Sequence, residues 1–475
     1  MSNAKRIVKN TVTLFLSEVF NRFLSFLLVI FIARYLGDVG LGKYSFIFAF
    51  VGLFVVISDF GVSILMVRDV AKNKLQNEKY FRNILTLKLI FALITLALPF
   101  TIIQFLNRGK EIEMSVLLAS IATSLFYLSQ PSRNLFTSFE RQIYQATYLI
   151  IERLIAFSLG ILVLYLGYGL IALISVFVLS NLVSLIYAFA VTSNKFTKIK
   201  LEFDFSFIKK LLKKSIVFWF SLVFITIYFR IDTVMLSFMK GYEATGWYNA
   251  AYKIIDALTF IPFLVITAVF PAMSRFHKES KDLLKLLYEK SFYYLFIIAL
   301  PLSIGTTILA KRIIIFVFKD EFINSVVVLQ ILIWALLFMF INYIAGYLLN
   351  SIEKQKLFTI SVSITAVVNI ILNFILIPLY SYIGASIATV ISEILTFAML
   401  YYFTSKNNYR LNFLKLIIKP FFAAVIMSFF IIYFSNLHIL LLVPISIIIY
   451  FASLFIFKAL TKEEVDLIRS LFTKS

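Results

Sequence analysis

Apolar residues run along this chain in long unbroken blocks, not in the alternation of a half-buried strand or the single stripe of a surface helix. A bilayer crossing needs roughly 20 mostly apolar residues, and by that measure the blocks predict about fourteen spanning helices. They start near Thr11, Lys43, Asn83, Met114, Ala146, Gly169, Ser215, Trp247, Ser291, Val326, Leu357, Ile383, Asn412 and Leu437. Continuous blocks exclude a transmembrane barrel, whose strands alternate over about ten residues. The expected fold is therefore that of an all-α integral membrane protein. The first block carries charges and is too long for a cleavable signal core, so it reads as a span. Ile313 to Phe318, flanked by Arg312 and Lys319, is too short to cross and is expected at the interface. KKLLKKS (209–215) and HKESKDLLKLLYEK (277–290) place leucine among lysine at helical spacing. Each reads either as an amphipathic helix lying in the membrane plane or as a solvated connector.

The pattern repeats. GDVGLGKY (Gly37 to Tyr44) and GYEATGWY (Gly241 to Tyr248) share two glycines and a tyrosine at a constant offset of 204 residues. Each octet falls in the turn after the first helix of a six-helix set, and GLIAL at 169 is echoed by GASIA at 384. An even number of helices between copies predicts two pseudo-symmetric six-helix bundles of the same orientation around a central cavity. The expected organisation is residues 1–191 for the first bundle, 192–214 for a basic linker and 215–404 for the second bundle. Residues 405–475 then hold helices thirteen and fourteen and a tail.

Composition agrees: 61% of residues are hydrophobic and 15% charged. The excess of basic over acidic residues, +21 overall, follows membrane sidedness. With the N-terminus inside, about 31 Lys and Arg fall in inner segments and about seven in outer loops, which predicts cytoplasmic termini in a plasma (inner) membrane protein. Spread over many loops, this charge suits anionic lipid and not nucleic acid. There is no cysteine and the two histidines are far apart, so no disulfide or Cys/His metal site is expected. The longest outer connection, Lys311 to Ser325, offers only Asp320 and Glu321 as acids, so neither an enzyme nor a cofactor is expected.

Charges inside apolar spans cost about 2.5–3.5 kcal/mol each on insertion scales and normally face a bundle interior or a watery cavity. Glu18, Arg22, Asp59, Glu152, Arg153, Arg230, Asp232, Asp256 and Glu393 are of this kind. Glu18, Asn21, Arg22 and Ser25 share one face of the first helix, and Asn249, Tyr252, Lys253, Asp256 and Thr259 share one face of the eighth. Arg230 and Asp232 lie two residues apart, roughly 200° around a helix, and cannot pair with each other. Counted from the outer end, Arg230 is level with Asp256, and Asp232 nearly level with Lys253. Glu18, Asp59 and Arg153 match in depth from the inner end. Structural ion pairs and a polar cavity are the two readings, and the spread over six helices favours the cavity.

The run NIILNFILIPLYSYIGASIATVISE (Asn369 to Glu393), with ARYLGDVGLGKYSF (Ala33 to Phe46), DFGVSILMVRDVAK (Asp59 to Lys72) and RIDTVML (Arg230 to Leu236), resembles the polysaccharide biosynthesis export proteins. That resemblance implies a Wzx-type flippase of the multidrug/oligosaccharidyl-lipid/polysaccharide superfamily, moving a polyprenyl-(di)phosphate-linked oligosaccharide to the outer leaflet. The implied partners are that lipid, anionic membrane lipids and other polysaccharide-assembly membrane proteins. Arginine forks suit phosphate oxygens, so Arg22, Arg153 and Arg230 are the expected substrate contacts. Glu18, Asp59, Glu152, Asp232, Lys253, Asp256 and Glu393 are expected as cavity ion pairs or as sites coupling to H⁺ or Na⁺. A multidrug cation antiporter of the same superfamily is the alternative.

Overall fold

The structure is a computed structural model that describes residues 3–459, without the side chains of 3–12, 217 and 413–415. The tail expected at the end of the chain lies outside the described residues. The elements are α1 (Asn3–Leu53), α2 (Val55–Asp59), α3 (Val62–Lys72), α4 (Asn77–Phe105), α5 (Lys110–Leu128), α6 (Gln130–Ser138), α7 (Gln142–Tyr165) and α8 (Gly169–Lys195). They continue with α9 (Phe205–Leu258), α10 (Phe260–Glu279), α11 (Lys281–Phe318), α12 (Ser325–Ser351), α13 (Gln355–Lys406), α14 (Phe413–Tyr433) and α15 (Ile439–Ile456). No strand occurs among the described residues, and eleven helical stretches are long and apolar enough to cross a membrane. The protein is a multi-pass, all-α integral membrane protein.

The longest helices are broken where the sequence places turns. α1 is broken at Gly37 (φ 69°, ψ −171°), α9 at Gly241 (φ 86°, ψ −176°) and α13 at Ser381 (φ 52°, ψ −133°). The two glycines are repeat partners and adopt the same conformation, one essentially restricted to glycine. The octets also pack on each other reciprocally. A Cβ on Gly42 would lie 1.8 Å from the Tyr242 carbonyl oxygen, and one on Gly246 would lie 2.0 Å from that of Asp38. Under the 204-residue offset, each of these contacts is the image of the other. Trp247 Nε1 donates to the Asp38 carboxylate at 2.8 Å, and Phe46 packs on Phe238 and Tyr242.

The chain forms two compact units, Met1–Lys253 and Ile254–Ser475. In the first, the connection after α8 is docked. Glu202 N–H donates to Thr86 Oγ1 (3.1 Å), Asp204 N–H donates to Asn83 Oδ1 (2.7 Å), and Lys79 Nζ lies 2.9 Å from Asp204 Oδ2. Asp204 also caps α9 by accepting from Phe207 N–H at 2.9 Å. The lysine-rich stretch that follows is a docked helix, not a free connector. It forms the first turns of α9 and buries Ile208 and Leu211 against Val62, Met66 and Ile84 of α3 and α4. Burial of that kind contributes about 1.5–3 kcal/mol per side chain. In the second unit, 281–290 likewise opens α11, with Leu284 and Tyr288 buried. Ile313 to Phe318 is not a separate interfacial piece. It forms the last turns of α11, with Ile314 and Phe318 buried. At Gly384 a Cβ would meet the Leu376 carbonyl oxygen at 2.2 Å, so the chain after the break at Ser381 packs back on the turn before it.

Bonds from the Phe207 backbone and from Lys79 hold the Asp204 carboxyl below its ordinary value of 3.8. A depressed carboxyl stabilises the fold above its unfolded value and loses that contribution as pH falls through the folded one. Asp204→Ala is therefore expected to lower the unfolding midpoint at pH 7, and the gap to wild type should close as pH falls below the ordinary carboxyl value. A gap that persists in acid would mean the aspartate acts otherwise than as a charged cap.

Candidate functional site

The site in the first unit is built around a helix break. Phe60 (φ 47°) and Gly61 (φ 73°) are left-handed and separate α2 from α3, so Asp59-Phe60-Gly61 is a kink. Breaking the helix frees carbonyls that must find donors at bilayer depth. Trp219 Nε1 of α9 donates to Val56 O at 3.0 Å, and its ring stacks on Phe60. Lys88 Nζ of α4 donates to Ser58 O at 2.7 Å. A Cβ on Gly61 would press on Ser215 O at 2.9 Å, so α9 passes too close to the break for a larger residue.

Lys88, only 1% exposed, also donates to Asp59 Oδ1 (2.6 Å) and to Gln130 Oε1 of α6 (2.7 Å). Its three protons thus meet three acceptors. Ser63 donates to the same Asp59 oxygen. Asp59 is therefore paired within a network of α2, α4 and α6, and not with Arg153, its match in depth.

Arg153 of α7 donates through Nε to Asn21 Oδ1 of α1 at 2.7 Å and lies 3.5 Å from Glu152. Of the first-helix stripe, Asn21 is the member that meets Arg153. Glu18 is half-buried and Arg22 exposed. Arg230 is exposed, and its Nε would come within 3.3 Å of a Cβ on Gly52, so the missing side chain leaves its stem room to cross α1. Asp232, on the other side of α9, is buried and accepts from the Tyr248 hydroxyl at 3.0 Å. Lys253 is half-buried and Asp256 exposed.

In the second unit Glu393 of α13 is buried and accepts from Asn342 Nδ2 of α12 at 2.7 Å. Asn373 Nδ2 donates to Asn369 Oδ1 at 3.0 Å, so the asparagines of the NIILN run bond each other. Lys88 and Arg133 escape a reading of spans. One sits alone in an apolar run and the other in the polar stretch Gln130-Pro-Ser-Arg-Asn at the end of one. The proline beside Arg133 was the available signal, because proline is favoured in a helix's first turn and so marks α6 as a new helix.

A multi-pass helical protein that keeps hydrogen-bonded charges on several helices at bilayer depth has the build of a membrane transporter. The profile of the polysaccharide biosynthesis protein family matches residues 7–277, and the chain belongs to that family. A second profile, MatE, matches residues 218–375. An uncharacterized membrane protein of Methanocaldococcus jannaschii is 24% identical over 86% of this chain and 85% of its own length. The probable low-salt glycan biosynthesis flippase Agl15 of Haloferax volcanii is 24% identical over 81% of each chain. Among solved structures, the lipid II flippase MurJ in an inward closed conformation superposes with a TM-score of 0.79 at 17% identity, over 96% of this chain and all of that one.

Proposed function

We propose that this protein flips a polyprenyl-(di)phosphate-linked oligosaccharide from the inner to the outer leaflet of the plasma membrane, by alternating access of two six-helix bundles about a central cavity. Counting each helix broken at Gly37, Gly241 or Ser381 as two passes brings the total to fourteen, with both termini cytoplasmic. The observation that carries the reading is Arg153 of α7, held by Asn21 of α1 at 2.7 Å, in a member of this family. Arginines held at bilayer depth are the groups a phosphorylated headgroup needs. Arg22, exposed on the first helix, is suited to first contact from the cytoplasmic side. Membrane potential, worth about 2.3 kcal/mol per charge per 100 mV, or H⁺ or Na⁺ at Asp59, Asp232, Asp256 or Glu393, would drive the cycle.

In a strain lacking the gene, the lipid-linked oligosaccharide should accumulate facing the cytoplasm. Wild type should clear it, and Arg230→Ala should fail to. A MatE match over residues 218–375 favours one other reading, a cation antiporter. Altered sensitivity to cationic drugs without lipid accumulation would select that reading instead.

A further inference from the structure

The connection between α8 and α9 exposes apolar side chains where no span lies. The apolar stretch before it ends at Lys195 and the one after it begins at Phe218, so the connection leaves and re-enters the bilayer on one face. Residues 197–204 form neither helix nor strand. Glu202 and Asp204 give their N–H groups to Thr86 and Asn83 of α4, and their carboxylates face Arg82 and Lys79. Leu201, Phe203 and Phe205, which alternate with these acids, are left outward at 60%, 57% and 67% exposure. That is a dense apolar patch for a surface bathed only by water.

The start of α9 continues the surface with charge. Ile208 and Leu211 are buried against α3 and α4, which leaves Lys209, Lys210, Lys213 and Lys214 exposed on the other side of the helix. Lys198 and Lys200 are exposed as well. Two acids lie among these six lysines, and both already face bases of α4.

We propose that residues 198–214 are a binding surface for anionic lipid. Leu201, Phe203 and Phe205 enter the boundary between headgroups and acyl chains, and the lysines meet the headgroup phosphates. Lipid, and not a second protein, is the occupant that the tethering favours, because a segment whose two ends enter the bilayer stays at its surface. The inference is independent of what the protein carries across the membrane.

The test uses the full-length protein in nanodiscs of phosphatidylglycerol and phosphatidylcholine in equal amounts. Because the chain has no cysteine, Ser206→Cys, exposed between Phe205 and the lysines, takes a single bimane fluorophore. A spin label near the headgroup end of the acyl chain is placed on one lipid or the other, and quenching reports which lipid lies against the segment. Phosphatidylglycerol should be favoured by about fivefold or more, the scale of one lysine at an anionic surface. Lys209→Gln, Lys210→Gln, Lys213→Gln and Lys214→Gln together should bring the ratio close to one. Leu201→Ser, Phe203→Ser and Phe205→Ser together should weaken quenching by both lipids. Raising the salt concentration should shrink the ratio, a result that needs no further change in the chain and so no allowance for misfolding. Equal quenching by the two lipids, or a ratio that salt and the lysine changes leave alone, overturns the proposal. Quenching by neither overturns it in favour of water or a second protein over the segment.

Discussion

Lys88→Met is expected to destabilise the folded protein by about 3–5 kcal/mol, the range for removing one partner of a buried pair. The size follows from what the ammonium holds: the carboxylate of Asp59, the Ser58 carbonyl exposed by the break after α2, and the Gln130 side chain of α6. Without it, Asp59 is left charged and buried with only Ser63 to donate to it among the described residues. Much of the loss should return in the double variant Lys88→Met with Asp59→Leu, because replacing both partners of a buried pair by apolar groups is often nearly neutral. Denaturant unfolding in detergent measures both. A single variant as stable as wild type would mean that water reaches this lysine and that the network does not brace the break.

Gly42→Val should be nearly as severe. Its Cβ would sit 1.8 Å from the Tyr242 carbonyl oxygen, and a backbone oxygen cannot turn away as a side chain can. Overpacking typically costs 1–3 kcal/mol, and a clash between two backbones belongs at or above about 3. The crossing of α1 and α9 should part in response. Because the chain contains no cysteine, a single Ser45→Cys reporter beside the crossing can be read without background. An impermeant maleimide should label it several-fold faster when Gly42→Val is also present. Unchanged labelling together with unchanged stability would show that the two octets do not meet in the membrane.

What the sequence disclosed is what local rules govern. Uninterrupted apolar runs are legible as helices because only their length matters, and Gly37 and Gly241 are legible as turns because few residues tolerate their conformation. The 200° separation of Arg230 and Asp232 also appears in space, with Asp232 buried against Tyr248 and Arg230 exposed over Gly52. Lys88 was not legible, since Thr95, seven residues on, is a slight polar mark on its face of α4 and its partners come from α2 and α6, far away in the chain. Matching by depth brought Asp59 toward Arg153 for the same reason: depth orders charges along the membrane normal and is blind to which helices are neighbours. The lysine-rich start of α9 was left open between two readings because leucines among lysines suit a lipid surface and a protein groove equally well. Its packing against α3 and α4 shows what the buried face touches.

The reciprocity of the octets has a meaning beyond closure. Gly42 meets residue 242 and Gly246 meets residue 38, so position i touches position j of the other copy while j touches i. That is the rule of an isologous interface between identical subunits. One continuous polypeptide thus carries, at this point, the contact of a two-fold homodimer, with the docked segment before α9 lying between the two octets in the chain.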